Sequence, residues 1–153
     1  MKDTYIDLRS DTITIPTKDM LDYMFNAKVG DDVWEEDPTV KALEREVATL
    51  FSKEAALFCP SGTMTNQIAI RIHTKIGDEV ICDKLSHIYN YEGGGLAANS
   101  GVSVRLIEGD FGRISVDQVK KNINPDDVHF ARTSLVCLEN TVNKGGGVCY
   151  DYQ

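Results

Sequence analysis

The sequence predicts an α/β fold in which helices flank a mostly parallel sheet. Short apolar segments alternate along the chain with segments of helical periodicity. The apolar segments are continuous runs, as expected of parallel strands covered on both faces. With 153 residues, the chain is also long enough to enclose a core. The predicted strands are, in order, 55–59, 80–82, 102–107 and 134–138.

The first predicted helix spans about 18–27. Thr17 precedes it and is a suitable N-cap, because its hydroxyl can accept a hydrogen bond from the first turn. Met20, Leu21 and Met24 recur at helical spacing, and we expect them to form its inner face.

Three further helices are indicated by their starting residues and their periodicity. Asp37 can cap the second, and Pro38 suits the first helical position. Ser115 and Gln118 form a capping-box pattern at the start of the last. The predicted ranges are about 38–52, 63–74 and 115–123.

Composition excludes several classes of protein. Apolar residues make up 42% and charged residues 26%, which is ordinary for a globular domain. The net charge is −8 and the basic residues are scattered, so we expect no nucleic-acid partner. No apolar run is long enough to span a membrane, and no signal peptide is recognised, so a cytoplasmic protein is expected.

Cysteine and acidic residues give no metal site. The four cysteines form no CxxC pair, and we interpret them as reduced thiols. The acidic cluster 31–37 lacks the spacing of an EF-hand loop, which leaves a solvated loop as its interpretation.

Three motifs follow predicted strands, where open α/β sheets bind ligands. In the turn 59–63, Ser61, Gly62 and Thr63 open a helix whose free N–H groups would suit a phosphate, although a plain capped turn explains the same pattern. His87 follows the second strand and could stack on a ring, donate a hydrogen bond, act as a base, or simply be structural. The segment 139–141 follows the fourth strand.

The motifs together resemble those of low-specificity L-threonine aldolases, and the resemblance runs over nearly the whole chain. They are Asp7-Leu8-Arg9-Ser10-Asp11-Thr12, Gly30-Asp31-Asp32-Val33, Pro60-Ser61-Gly62-Thr63-Met64, Ser86-His87-Ile88, His129-Phe130 and Leu138-Glu139-Asn140-Thr141. Two positions depart from the family pattern: Trp34 stands where tyrosine is usual, and Val142 where histidine is frequent.

The resemblance implies the large domain of a fold type I pyridoxal-phosphate enzyme, related to aspartate aminotransferase. The implied reaction cleaves L-threonine or L-allo-threonine to glycine and acetaldehyde. Ser61, Gly62 and Thr63 would bind the cofactor phosphate, and His87 would stack on its ring as a cofactor-binding and catalytic residue.

The same resemblance assigns two residues to the substrate. Ser10 matches a residue near the substrate carboxylate, and His129 matches a catalytic histidine that handles the β-hydroxyl. It also implies a homo-oligomer, either a dimer or a tetramer. The molecule that it binds would be a small amino-acid substrate.

By this resemblance, residues 1–153 are the N-terminal segment and the first part of the large domain. The cofactor-linking lysine and the aspartate that pairs with the pyridine nitrogen would follow Gln153, as would the small C-terminal domain. We therefore expect the isolated chain to bind the cofactor weakly and not to cleave threonine. Two alternatives stay open: another β-eliminating lyase that uses the same cofactor, and a non-catalytic dimerising fragment.

Overall fold

The computed structural model describes residues 5–7 and 10–151, and the chain divides into two compact units. The first unit covers 1–58 and the second covers 59–153. Among the described residues, no helix has the length and apolar composition needed to cross a bilayer.

The first unit contains a 3-10 turn and two α-helices: Asp11–Ile13, α1 (Lys18–Asn26) and α2 (Pro38–Leu50). The predicted caps are confirmed. Thr17 accepts a hydrogen bond from the Met20 N–H, and one carboxylate oxygen of Asp37 accepts from two N–H groups of the first turn of α2. The backbone N–H groups of Val40, Gly30 and Thr39 donate to Asp37 and hold its pKa below the ordinary value.

The predicted inner face of α1 is wrong. Met20, Leu21 and Met24 are all exposed, and α1 has no buried residue. In the described part of the first unit only Asp37 and Ala48 are buried. Periodicity fixes which residues share a side of the helix, whereas burial requires another element packed on that side.

The predicted strand at 55–59 is also wrong. This segment forms no strand, and Leu57 is exposed. The Phe58 N–H donates to Glu44 Oε1 at 2.8 Å. In a strand, this N–H would donate to a backbone carbonyl of the neighbouring strand. A short apolar run forms a strand only where a neighbouring strand can pair with it.

The second unit holds the sheet and four helices. The strands are β1 (Glu79–Asp83), β2 (Ser103–Ile107) and β3 (Thr133–Val136), as predicted to within a few residues. The helices are α3 (Gly62–His73), α4 (His87–Asn90), α5 (Gly95–Ser100) and α6 (Val116–Asn122), followed by a 3-10 turn at Asn143–Gly145. Sequence reasoning missed α4 and α5, which are short and lie in or near the glycine-rich stretch 93–101.

The sheet is parallel, with β1 between β2 and β3. All five residues of β1 are buried. Its neighbouring residues Val80 and Ile81 face opposite sides of the sheet and belong to two separate apolar clusters. The first joins Val80 to α3 and α5 through Ile70 and Leu96. The predicted α/β architecture, with helices flanking a parallel sheet, is therefore confirmed.

Candidate active site

A cavity of about 400 Å³ lies at the carboxyl ends of β1 and β3. Its walls come from α3, from the segment 86–88 after β1 and from the segment 137–140 after β3. This is the edge at which parallel α/β sheets bind ligands, and the volume suits a small organic molecule. His87 and Glu139, both in motifs singled out from the sequence, line it together.

His87 is fixed through its backbone by Glu139. The His87 N–H donates to Glu139 Oε2 at 2.6 Å, and the Asn143 N–H donates to Glu139 Oε1 at 2.9 Å. One carboxylate therefore joins the segment after β1 to the segment after β3.

The His87 ring is fixed by a second carboxylate, Glu92. The ring Nδ1 lies 3.0 Å from Glu92 Oε1, and the Glu92 side chain has no exposed surface. Asn66 and Gln67 donate to the same carboxylate from α3, at 2.8 and 2.6 Å. The rest of the ring stays accessible, with 42% of the His87 side chain exposed.

The cavity wall also contains a thiol, that of Cys137. Burial raises the pKa of Cys137 to about 11 and that of Cys82, on β1, to about 12. Both thiols are therefore protonated near neutral pH, and the thiolate is the reactive form.

The predicted phosphate-binding residues lie at the start of α3. Ser61 Oγ accepts from the Met64 N–H at 3.1 Å, which leaves the hydroxyl hydrogen able to donate. A Cβ added at Gly62 would meet no atom within 4 Å, so open space adjoins this backbone. Helix N–H groups beside such space can approach an anion closely.

The structure places these residues and His87 against different cavities. Ser61 and Thr63 line a separate cavity of about 480 Å³ on another side of α3. Asn66 faces the His87 cavity and Gln67 the other, so the two cavities are separated by the same helix.

His129 does not line the His87 cavity, although both belong to the second unit. Ser10 belongs to the first unit, where its hydroxyl lies 2.9 Å from Thr12 Oγ1. His129 precedes the amino end of β3 and its side chain is 83% exposed; both its N–H and its Nδ1 contact Asp127 Oδ1. The substrate-binding roles of Ser10 and His129 stay predictions.

Sequence reasoning missed Glu92 and its partners Asn66 and Gln67. Glu92 stands between tyrosine and three glycines, a context that predicts an exposed loop. Nothing in its local pattern signals burial, because the carboxylate is covered by α3, which lies about 25 residues earlier in the chain.

Comparison with known proteins gives a consistent result. The beta-eliminating lyase family model matches residues 7–153. The low specificity L-threonine aldolase of Escherichia coli (strain K12) is 47% identical over 139 residues, covering 90% of this chain and 42% of that protein. The probable low-specificity L-threonine aldolase 2 of Arabidopsis thaliana is 44% identical over 148 residues, covering 94% of this chain and 42% of the relative.

A solved structure shares the fold. Leishmania major threonine aldolase superposes with a TM-score of 0.64 and 25% identity, covering 70% of this chain and 32% of that one. This likeness confirms the fold type I prediction. The chain spans about two fifths of the length of the curated relatives described above.

Proposed function

The chain belongs to the beta-eliminating lyase family, and on this premise we propose that it forms part of a pyridoxal-phosphate-dependent threonine aldolase. The reaction is cleavage of L-threonine or L-allo-threonine to glycine and acetaldehyde. The observation that carries the proposal is the 47% identity, over 90% of the chain, with a protein named low specificity L-threonine aldolase. The proposed protein is a cytoplasmic homo-oligomer.

The start of α3 fits the cofactor's phosphate. Open space adjoins Gly62, the first-turn N–H groups point along the helix axis, and Ser61 retains a hydroxyl hydrogen to donate. We propose Ser61, Gly62 and Thr63 as the residues that hold the phosphate. Because Ser61 and Thr63 border a different cavity from His87, this assignment rests on the family resemblance and on the open space at the start of α3.

His87 fits the planar part of the cofactor. Its ring is anchored at Nδ1 and partly exposed at the cavity, so it presents a flat surface of fixed orientation. Pyridoxal phosphate, when bound, withdraws electrons from the bond that breaks. The task left to the chain is to orient the amino acid and to move the hydroxyl proton.

Ser10 and His129 are proposed for that task from the resemblance. Ser10 would bind the substrate carboxylate, and His129 would accept the β-hydroxyl proton directly or through water. Loss of this proton forms the aldehyde as the Cα–Cβ bond breaks, and Cα then takes up a proton to give glycine.

A chimeric enzyme tests the proposal. Residues 7–153 of this chain replace the matching segment of the E. coli relative, and the products formed from L-threonine and L-allo-threonine are identified. We expect acetaldehyde and glycine. A folded chimera that binds no cofactor would refute the proposal, and release of a keto acid with ammonia would identify a β-eliminating lyase instead. The unmodified E. coli protein is the control for assay and cofactor loading.

A further inference from the structure

We infer that Glu92 is a positioning residue that keeps the hydrogen of the neutral His87 ring on Nδ1, leaving Nε2 as a hydrogen-bond acceptor. The inference concerns atoms of this chain alone. Its relevance to catalysis rests on the function proposed above, because His87 lines the cavity assigned there to the cofactor.

The Glu92 carboxylate is buried among polar side chains. Glu92 has no exposed side-chain surface, yet two amide donors and the ring of His87 converge on it. Oε1 lies 2.8 Å from the Asn66 amide nitrogen and 3.0 Å from His87 Nδ1, while Oε2 lies 2.6 Å from the Gln67 amide nitrogen. An ionised carboxylate only accepts hydrogen bonds, and a buried one is stabilised when several donors surround it.

The Glu92 contact determines which nitrogen of the neutral His87 ring carries the hydrogen. A neutral imidazole carries one hydrogen, on either Nδ1 or Nε2. Because Glu92 Oε1 can only accept, the contact with Nδ1 requires the hydrogen there. The Nε2 lone pair is then free to accept. In water, neutral histidine carries its hydrogen mainly on Nε2, so Glu92 reverses the ordinary preference.

The Glu92 carboxylate is held by two side chains of α3. Asn66 and Gln67 lie on α3, about one turn beyond Ser61–Thr63. The carboxylate therefore ties the helix that begins at the proposed phosphate site to the ring of His87. Gly95 leaves room for this arrangement, since a Cβ there would lie 2.4 Å from Gln67 Oε1.

The position of the hydrogen on Nδ1 limits the roles that His87 can have toward a ligand. With its hydrogen on Nδ1, the neutral ring offers a ligand its flat face and an acceptor at Nε2. It offers no N–H donor at Nε2. A ligand group that contacts this edge of the ring must therefore supply the hydrogen itself.

The test is nitrogen NMR of the chain labelled with ¹⁵N-histidine, at a pH where the rings are neutral and without cofactor. Long-range proton–nitrogen correlations distinguish the two neutral forms of each ring, and His87→Asn identifies the His87 signals. We expect His87 in the Nδ1–H form. The ring of His73, an exposed residue of α3, is the internal comparison, and we expect mainly the Nε2–H form there. A wild-type His87 ring mainly in the Nε2–H form would overturn the inference without needing any variant.

Two variants separate positioning from general structural damage. Glu92→Ala removes the acceptor, and we expect His87 to shift toward the Nε2–H form. Glu92→Gln should restore the Nδ1–H form, because an amide oxygen can take the place of Oε1. Glu108→Ala, which removes an exposed carboxylate that pairs with Lys84, is the matched control and should leave His87 unchanged. Retention of the Nδ1–H form in Glu92→Ala would contradict the inference. The experiment uses neither cofactor nor substrate, so its failure and a failure of the aldolase proposal are distinguishable.

Discussion

The N–H of His87 and the carboxylate of Glu139, 52 residues apart in sequence, are joined by a hydrogen bond of 2.6 Å. This bond lies in the wall of the His87 cavity and joins the segments that follow two adjacent strands.

We predict that Glu139→Ala lowers the free energy of unfolding by about 1–3 kcal/mol, because two backbone donors lose a charged acceptor. Urea denaturation followed by circular dichroism measures it. Glu139→Gln keeps an acceptor and should lose less. Equal stability of wild type and the alanine variant would mean that water replaces the carboxylate at no cost.

Gly95→Ala should also destabilise the second unit. The new Cβ would lie 2.4 to 2.8 Å from the Gln67 amide, which cannot move without releasing Glu92. Overpacking of this kind costs about 1–3 kcal/mol, and thermal unfolding would report it. Unchanged stability would show that the Gln67 side chain has another acceptable position.

Gly62→Ala should separate folding from cofactor binding. No atom lies within 4 Å of the added Cβ, and alanine is favoured over glycine in a helix by up to about 1 kcal/mol. We therefore expect stability to be kept or slightly raised. If the open space receives a phosphate, the methyl group obstructs it, and pyridoxal phosphate binding to the chimeric enzyme should weaken at least tenfold. Unchanged affinity would place the phosphate elsewhere.

Three of the four cysteines, Cys82, Cys137 and Cys149, should differ in their reactivity toward alkylating reagents. Burial raises the pKa of Cys82 to about 12 and of Cys137 to about 11, whereas Cys149 is exposed. We expect iodoacetamide at pH 8 to label Cys149 first and Cys82 last, as peptide mass spectrometry would show. Early labelling of Cys82 would contradict the buried position of β1.

The same shifts predict a pH dependence of stability. A thiol whose pKa is higher in the folded state than in the unfolded state stabilises the fold fully below the unfolded value, near 9. This contribution is lost as the pH rises from about 9 toward 12, since the unfolded state gives up its proton first. Urea denaturation across this range should show a falling free energy of unfolding. Measured relative to its own value at pH 8, the free energy of unfolding of Cys82→Ala should fall less.

Lys144 should not replace a cofactor-linking lysine. Its Nζ lies 5.1 Å from the centre of the Tyr91 ring, a cation–π contact that holds the side chain in place. Because Lys144 does not match the cofactor-linking lysine of the family that the chain resembles, we expect the 153-residue polypeptide with pyridoxal phosphate to release no acetaldehyde from L-threonine. Lys144→Arg should bind the cofactor as the wild type does. Aldehyde release that disappears in Lys144→Arg would refute this prediction.

Local chemistry in the sequence predicted the elements whose ends are set by neighbouring residues. Asp37 and Ser115 cap their helices through side chains two or three residues from their partners, so the pattern contains the cause. Strand β1 was predictable because a continuous apolar run suits a central parallel strand.

Long-range packing accounts for what could not be predicted. The exposed face of α1 and the unpaired segment 55–59 depend on what lies beside them, which periodicity does not encode. The same holds for Glu92, since its burial depends on α3. His87 could be placed near a ligand from its position after a strand, but the orientation of its ring could not.

The three-stranded sheet has a consequence for the handling of this polypeptide. Within residues 5–7 and 10–151, β2 and β3 each pair with β1 alone, so the outer edge of each carries backbone groups without a neighbouring strand. Such edges are templates on which another extended segment can continue the ladder. Concentrated solutions of the polypeptide should therefore associate edge to edge, and a chain that supplies its own further strands would be protected from doing so.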